Sequence, residues 1–236
     1  MRHYLLGQAS FSAVISALGV LSASALPIEG LWNTGVDASG TPQGVGFNEI
    51  HYTATLPLGA DPRYEFRTVA KPGTYVNNPT DAAWIGPSLT ADEGALVDDP
   101  VGTYVYKMLF SLEGISPSSA LISGMWSSDN WSSIWLNGVE TAYQLGKEDF
   151  RTLTSFNLYD GILGISGDPI YFDPVINSLE FHVINARGSG NPSALLVSGL
   201  SGTGQSVADG GSMVLMVGGA FAAMFAVSRA FARSPR

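Results

Sequence analysis

The chain has 236 residues, no cysteine and a formal net charge of −9. Without cysteine, disulfide staples, thiol catalysis and Cys-ligated zinc are excluded. Residues 26–208 hold 7 Lys and Arg against 19 Asp and Glu, an acidic balance that argues against nucleic acid and anionic lipid surfaces as partners.

Met1-Arg2-His3-Tyr4 is a short basic start, followed by a mostly apolar run from Leu5 to about Leu21. Ala23-Ser24-Ala25 then supplies the small-residue pattern that a signal peptidase accepts. Residues 1–25 are therefore read as a signal peptide cut after Ala25. Gly7, Gln8, Ser10, Ser12 and Ser16 interrupt the run, which makes it a poor membrane span.

The body, residues 26–200, is long enough for one sizeable core. Short runs rich in Val, Ile, Tyr, Phe, Trp and Thr recur between turn formers, and helical periodicity is scarce. The predicted strands are Glu49–Thr55, Tyr64–Val69, Thr103–Phe110, Ser119–Trp126, Ser133–Leu136, Thr152–Leu158, Ser178–Ile184 and Ala194–Leu200. Thr103–Phe110 is almost wholly β-favouring and reads as a strand covered on both faces. In Ser178–Ile184, Leu179, Phe181 and Val183 alternate with Glu180 and His182, the pattern of a half-buried strand. Asn137-Gly138 predicts a type I′ hairpin, because both residues tolerate positive φ. Many short strands with turn signals and no alternating helices indicate an all-β sandwich.

Gly199–Ser206 is read as a small-residue linker, and residues 201–212 are taken as the linker and sorting motif that follow the body. From Gly210 to Ser228 the chain carries no charge, and Arg229, Arg233 and Arg236 follow. Such a run approaches the ~20 residues of a membrane-crossing helix, with the arginines left in the cytoplasm. Residues 213–236 are accordingly read as a transmembrane helix and basic tail, and the body as exported.

Several segments occur together in a characteristic order: Leu31–Gly40, Trp84–Pro87, Thr103–Tyr106 running on to Phe110–Gly114, Ile122–Asn130, Trp135–Gly138, Leu179–Asn185, Asn191–Val197 and Leu200–Thr203. Val207-Ala208-Asp209-Gly210-Gly211-Ser212 precedes the apolar tail. In this arrangement the chain resembles bacterial exosortase-sorted surface proteins with PEP-CTERM-type tails, whose bodies look like galactose-binding-like jelly rolls. The family's tail motifs carry proline where this chain has Ala208. The resemblance implies delivery to the cell surface or an exopolysaccharide matrix, with signal peptidase and an exosortase-type sorting protease as processing partners. It implies no enzymatic activity.

The chemistry available is sparse. His51 and His182 are the only body histidines, and the chain has no G-x-S-x-G, Walker or G-x-G-x-x-G pattern. His182 reads as an ordinary surface residue. The resemblance to galactose-binding-like domains, which often carry a structural calcium, points to Asp92, Glu93, Asp98 and Asp99 as the densest acidic loop for one. For carbohydrate, the candidate surface is Trp131 with Asp129, Asn130 and Asn137: indole for sugar C–H faces, Asp and Asn for hydroxyls. Trp126 and Trp135 are predicted to fill the core. The reading is a non-enzymatic surface or matrix protein, with a lectin-like module as the alternative and a glycosidase as the least favoured.

Overall fold

A computed structural model of the chain describes residues 24–71, 73–88, 99–186 and 192–207. Ala23, the acidic positions Asp92, Glu93 and Asp98, and everything from Ala208 onward lie outside these residues. The strands in chain order are β1 (Ala25–Pro27), β2 (Thr53–Thr55), β3 (Glu65–Thr68), β4 (Ile85–Ser88), β5 (Gly102–Ser111), β6 (Leu121–Asp129), β7 (Trp131–Leu136), β8 (Val139–Leu145), β9 (Thr154–Tyr159), β10 (Ile162–Leu163), β11 (Pro169–Ile170), β12 (Ile176–Asn185) and β13 (Ala194–Gln205). Single 3-10 turns at Pro117–Ser119 and Asp149–Arg151 complete the set. Among the described residues, no helix is long and apolar enough to cross a membrane.

Two antiparallel sheets form a β-sandwich. One runs β3-β4-β13-β6-β9, with β1 also paired to β13, and the other runs β2-β5-β12-β7-β8; β10 and β11 make a small separate ribbon. Their inner faces meet in one apolar core, where Trp126, Phe156 and Leu195 of the first sheet pack with Tyr106, Ile134 and Phe181 of the second. Burial of such large side chains is the main favourable term for a domain without staples.

The strand register follows the predicted alternation. On β12, Leu179, Phe181 and Val183 are buried, and the side chains of Glu180 and His182 face away from the core. The Asn137-Gly138 turn joins β7 to β8 with φ of 52° and 77°, as a type I′ turn requires. β5 differs from its prediction. Tyr104, Tyr106, Met108 and Phe110 are buried, while Leu109 on its other face is 57% exposed. β-branched and aromatic content alone does not distinguish one covered face from two.

The predicted linker Gly199–Ser206 is a second departure, because β13 continues to Gln205. Small residues are needed there because other chain crosses it closely. A methyl group on Gly202 would lie 2.8 Å from Leu31 Cδ1 and 2.9 Å from Ile28 Cδ1. Pairing of Ala25 with Gln205 also extends ordered structure to the predicted signal-cleavage position.

The two outer faces are unlike. β13 is buried on both sides, since Leu195 and Val197 enter the main core while Ala194 and Leu196 pack under Val69, Tyr75 and Trp84. That cover closes the first sheet. Among the described residues no such cluster covers the outer face of the second sheet, and polar and aromatic side chains collect there.

Candidate functional site

Successive side chains on a strand point to opposite faces, so parity along β7 decides which tryptophans reach solvent. Ser132, Ile134 and Leu136 are buried, and Trp131, Ser133 and Trp135 point outward. Trp126 is in the core as predicted, fully buried with its ring 5.6 Å from Phe181. Trp135 is not. It lies on the open face, half-covered by His182, whose ring stacks on it at 4.3 Å and 5°. Its Nε1–H donates to Ser133 Oγ at 2.9 Å.

Strand pairing sets the neighbours. Thr53 of β2, Lys107 of β5, Glu180 of β12, Trp135 of β7 and Glu140 of β8 form one row across the sheet. The next row is Thr55, Val105, His182, Ser133 and Gln144, and beyond it Trp131 stands opposite Ile184. Trp131, 40% exposed, and Trp135 are four residues apart on one strand face, about 13 Å at the usual rise.

Glu180 organises the middle of this face. Its carboxylate accepts from Lys107 Nζ at 2.9 Å and Ser178 Oγ at 3.2 Å, and lies 3.0 Å from His182 Nε2. Burial pushes its pKa up, but hydrogen bonds and charge from His182 and Lys107 outweigh that and hold it below the ordinary value. The result is a face-to-face indole–imidazole stack edged by an ion pair, hydroxyls and an amide. Such an arrangement can take the apolar C–H face of a sugar ring on Trp131, or on the face of Trp135 that His182 does not cover, and its hydroxyls on the polar groups between them.

The other predicted ligand positions are elsewhere. Asp129 and Asn130 are buried, at 4% and 2% exposure. Asp129 accepts a short hydrogen bond from the Tyr75 hydroxyl and another from Asn130 Nδ2, and Asn130 Oδ1 accepts from the Ala186 amide. Burial raises the Asp129 pKa, with the Tyr75 and Asn130 hydrogen bonds opposing. These side chains close one end of the sandwich and do not face a ligand. Asn137 is at the opposite end of β7 from Trp131, bonding Asn177 Oδ1, the Tyr171 carbonyl and the Ser178 amide.

Among the predicted calcium ligands, Asp99 is the described one. It is buried, its Oδ2 accepting from the Ser193 amide at 2.7 Å and its carbonyl from Asn185 Nδ2. Among the described residues no group of three or more His, Asp or Glu is placed to hold a metal ion. Of the sorting segment, Val207 is described, its amide bonded to the Gly114 carbonyl, and Ala208, Asp209, Gly210, Gly211 and Ser212 lie outside.

Lys107, Trp135 and His182 were missed as site residues from the sequence. Parity could have found Trp135 and His182, because Glu180 and His182 were already on the outward side of β12 and Ile134 and Leu136 alternate with Trp135. Nothing in the sequence pairs Lys107 with Glu180.

No protein-family model matches the chain, and no curated protein matches it. Solved structures with some likeness include a family 29 carbohydrate-binding module complexed with mannohexaose, at 11% identity and TM-score 0.27 over 65% of this chain and 93% of that one. A family 35 carbohydrate-binding module from an environmental isolate matches at 13% identity and TM-score 0.28, over 71% of this chain and 97% of that one. A GH31 α-xylosidase from Xanthomonas citri matches at 9% identity and TM-score 0.22, over 76% and 25%. At these TM-scores the likeness carries no argument, and the β-sandwich stands on the two sheets described above.

Proposed function

We propose that this chain is a carbohydrate-binding module of the β-sandwich class, of galactose-binding-like jelly-roll type, that holds glycan on the outer face of the β2-β5-β12-β7-β8 sheet. The observation that carries the reading is the outward pair Trp131 and Trp135 on one strand, with Trp135 held flat against His182 beside the Lys107–Glu180 ion pair. Aromatic side chains held by their neighbours lose little entropy on binding, which favours a preformed platform. Binding is favoured over hydrolysis. Paired-carboxylate hydrolysis by general acid needs one carboxyl kept protonated by a raised pKa. Glu180 on this face is shifted the other way, and the carboxyls that burial raises, Asp129 and Glu49, are engaged by Tyr75 and by the Gly35 and His51 amides.

The same proposal includes export, with the Gly210–Ser228 run delivering the domain to the cell envelope, where an exosortase-type protease and an exopolysaccharide matrix are the expected partners. The sequence of the tail is the support for this part. Mass spectrometry of the mature C-terminus tests it; an intact tail ending in Arg236 in surface-located protein would rule out sorting by cleavage.

Affinity electrophoresis of the full chain through gels containing soluble polysaccharides tests the binding reading. The expected outcome is retardation by at least one glycan, lost in Trp131→Ala and Trp135→Ala. Equal mobility in every gel would sink the reading.

A further inference from the structure

His51 extends the open face beyond β2. It precedes Thr53 by two residues and stacks on Trp32, with ring centroids 4.0 Å apart and planes 12° apart. Both described histidines thus lie flat on a tryptophan, one at each side of Lys107. Beside the Trp32–His51 pair is a cleft of about 350 Å³ lined by Trp32, Ile50, His51, Thr53, Lys107 and Leu109. Thr53 and Lys107 belong both to this cleft and to the row that leads through Glu180 to Trp135. Three strand spacings of about 4.8 Å separate Thr53 from Trp135, roughly 14 Å.

The cleft is held in shape from beneath. The Tyr52 hydroxyl donates to the Trp32 carbonyl at 2.7 Å, and His51 Nε2 lies 3.1 Å from the Asp37 carbonyl. The Glu49 carboxylate accepts from the Gly35 and His51 amides, each at 2.7 Å, tying together the two loops that carry the stacked rings. Ile50 and Leu109 remain 57% exposed each at its rim. An apolar, preformed recess of this size with a few polar groups is suited to a small ring.

Charge narrows the ligand. The five strands of this sheet contribute one lysine or arginine, Lys107, and it is already paired with Glu180. With 7 basic against 19 acidic residues in positions 26–208, a uronate or sulfate polymer would meet repulsion with no free cation on these strands to offset it.

We infer, building on the carbohydrate reading above, that the ligand is a neutral oligosaccharide running from the Trp131–Trp135 platform across the strands to a second subsite in the Trp32–His51 cleft. Calorimetric titration of the full chain against neutral gluco-, manno-, xylo- and galacto-oligosaccharides, dimers through hexamers, with oligouronates of matched length, tests this. Affinity is expected to rise with chain length for one neutral series. Trp32→Ala should weaken the longest member about tenfold, as loss of one stacking contact does, and leave the dimer unchanged. Leu109→Arg, at an exposed rim position, should do the same, which separates the subsite from any misfolding of the Trp32 variant. Trp135→Ala should weaken every length. Equal length dependence in wild type, Trp32→Ala and Leu109→Arg would overturn the second subsite while leaving the platform standing. Preference for oligouronates would overturn the neutral ligand. Absence of binding to every member would remove the carbohydrate reading and this inference together.

Discussion

Trp126 and Trp135 are both strand tryptophans nine residues apart, and the fold assigns them opposite consequences when truncated. Trp126→Ala removes a fully buried ring that packs on Phe181, a change that costs about 3–5 kcal/mol. That is a large part of the roughly 5–15 kcal/mol by which a domain of this kind is stable. Trp135→Ala removes one stacked pair with His182 and one hydrogen bond to Ser133. Stacking contributes about 0.5–1.5 kcal/mol and such a bond about 1 kcal/mol, so the expected loss is roughly 1.5–2.5 kcal/mol. Trp135→Ala should remain folded and stop binding glycan. Urea denaturation followed by tryptophan fluorescence measures the first quantity, and retardation in polysaccharide gels measures the second. A Trp135→Ala loss as large as that of Trp126→Ala, or unchanged retardation, would refute the assignment of Trp135 to an open binding face.

Glycine positions give a second test. A methyl on Gly35, at φ +65°, would lie 2.8 Å from Ala83 Cβ and 2.9 Å from its carbonyl, whereas at Gly40, φ +82°, the nearest atom is 4.0 Å away. Gly35→Ala should therefore lose about 2–4 kcal/mol from strain and overpacking, and Gly40→Ala about 1 kcal/mol from strain alone; equal losses in chemical denaturation would contradict this packing. Because the fold favours the Glu180 carboxylate, its contribution is complete above the ordinary value of 4.5 and drains away as pH falls below it. The stability gap between wild type and Glu180→Gln should accordingly be full at neutral pH and close in acid, as read by melting temperature across a pH series. Asn137→Ala, which removes bonds to Asn177, Tyr171 and Ser178, should cost about 1–3 kcal/mol and leave glycan affinity unchanged in the same titration; a lost affinity would restore Asn137 to the ligand surface.

The eight predicted strands correspond to β2, β3, β5, β6, β7, β9, β12 and β13, because runs of β-branched and aromatic residues between turn formers carry a local signal. What escaped was set by distant chain. Ile85-Gly86-Pro87-Ser88 forms β4 by pairing with β3 and β13, although Gly and Pro are poor strand formers. The glycines near the end of β13 looked like a linker because the reason for them, Leu31 and Ile28 crossing overhead, lies more than 170 residues away in sequence. β8, Val139–Leu145, was implied by the Asn137-Gly138 hairpin and passed over, since its Glu, Thr and Gln hide the alternation. For the site, Trp131 was identified by its polar flanks, Asn130 and Ser132. Those flanks and the candidate ligand Asp129 proved to be interior, since polar character in a sequence does not say whether a partner such as Tyr75 is waiting inside.

The path of β13 has a mechanical meaning. It lies in the middle of its sheet, hydrogen-bonded to β6 from Ala194 to Thr203 and to β1 at its end, and it leads directly to Val207. Tension applied at Val207 in the direction of β13 therefore acts along the strand axis. Several ladder bonds must shear at once, in contrast to a hairpin peeled open one bond after another. A ligand gripped on the outer face of the other sheet would load the whole core between the two sheets. Resistance to such a pull is governed by the unfolding rate rather than by equilibrium stability.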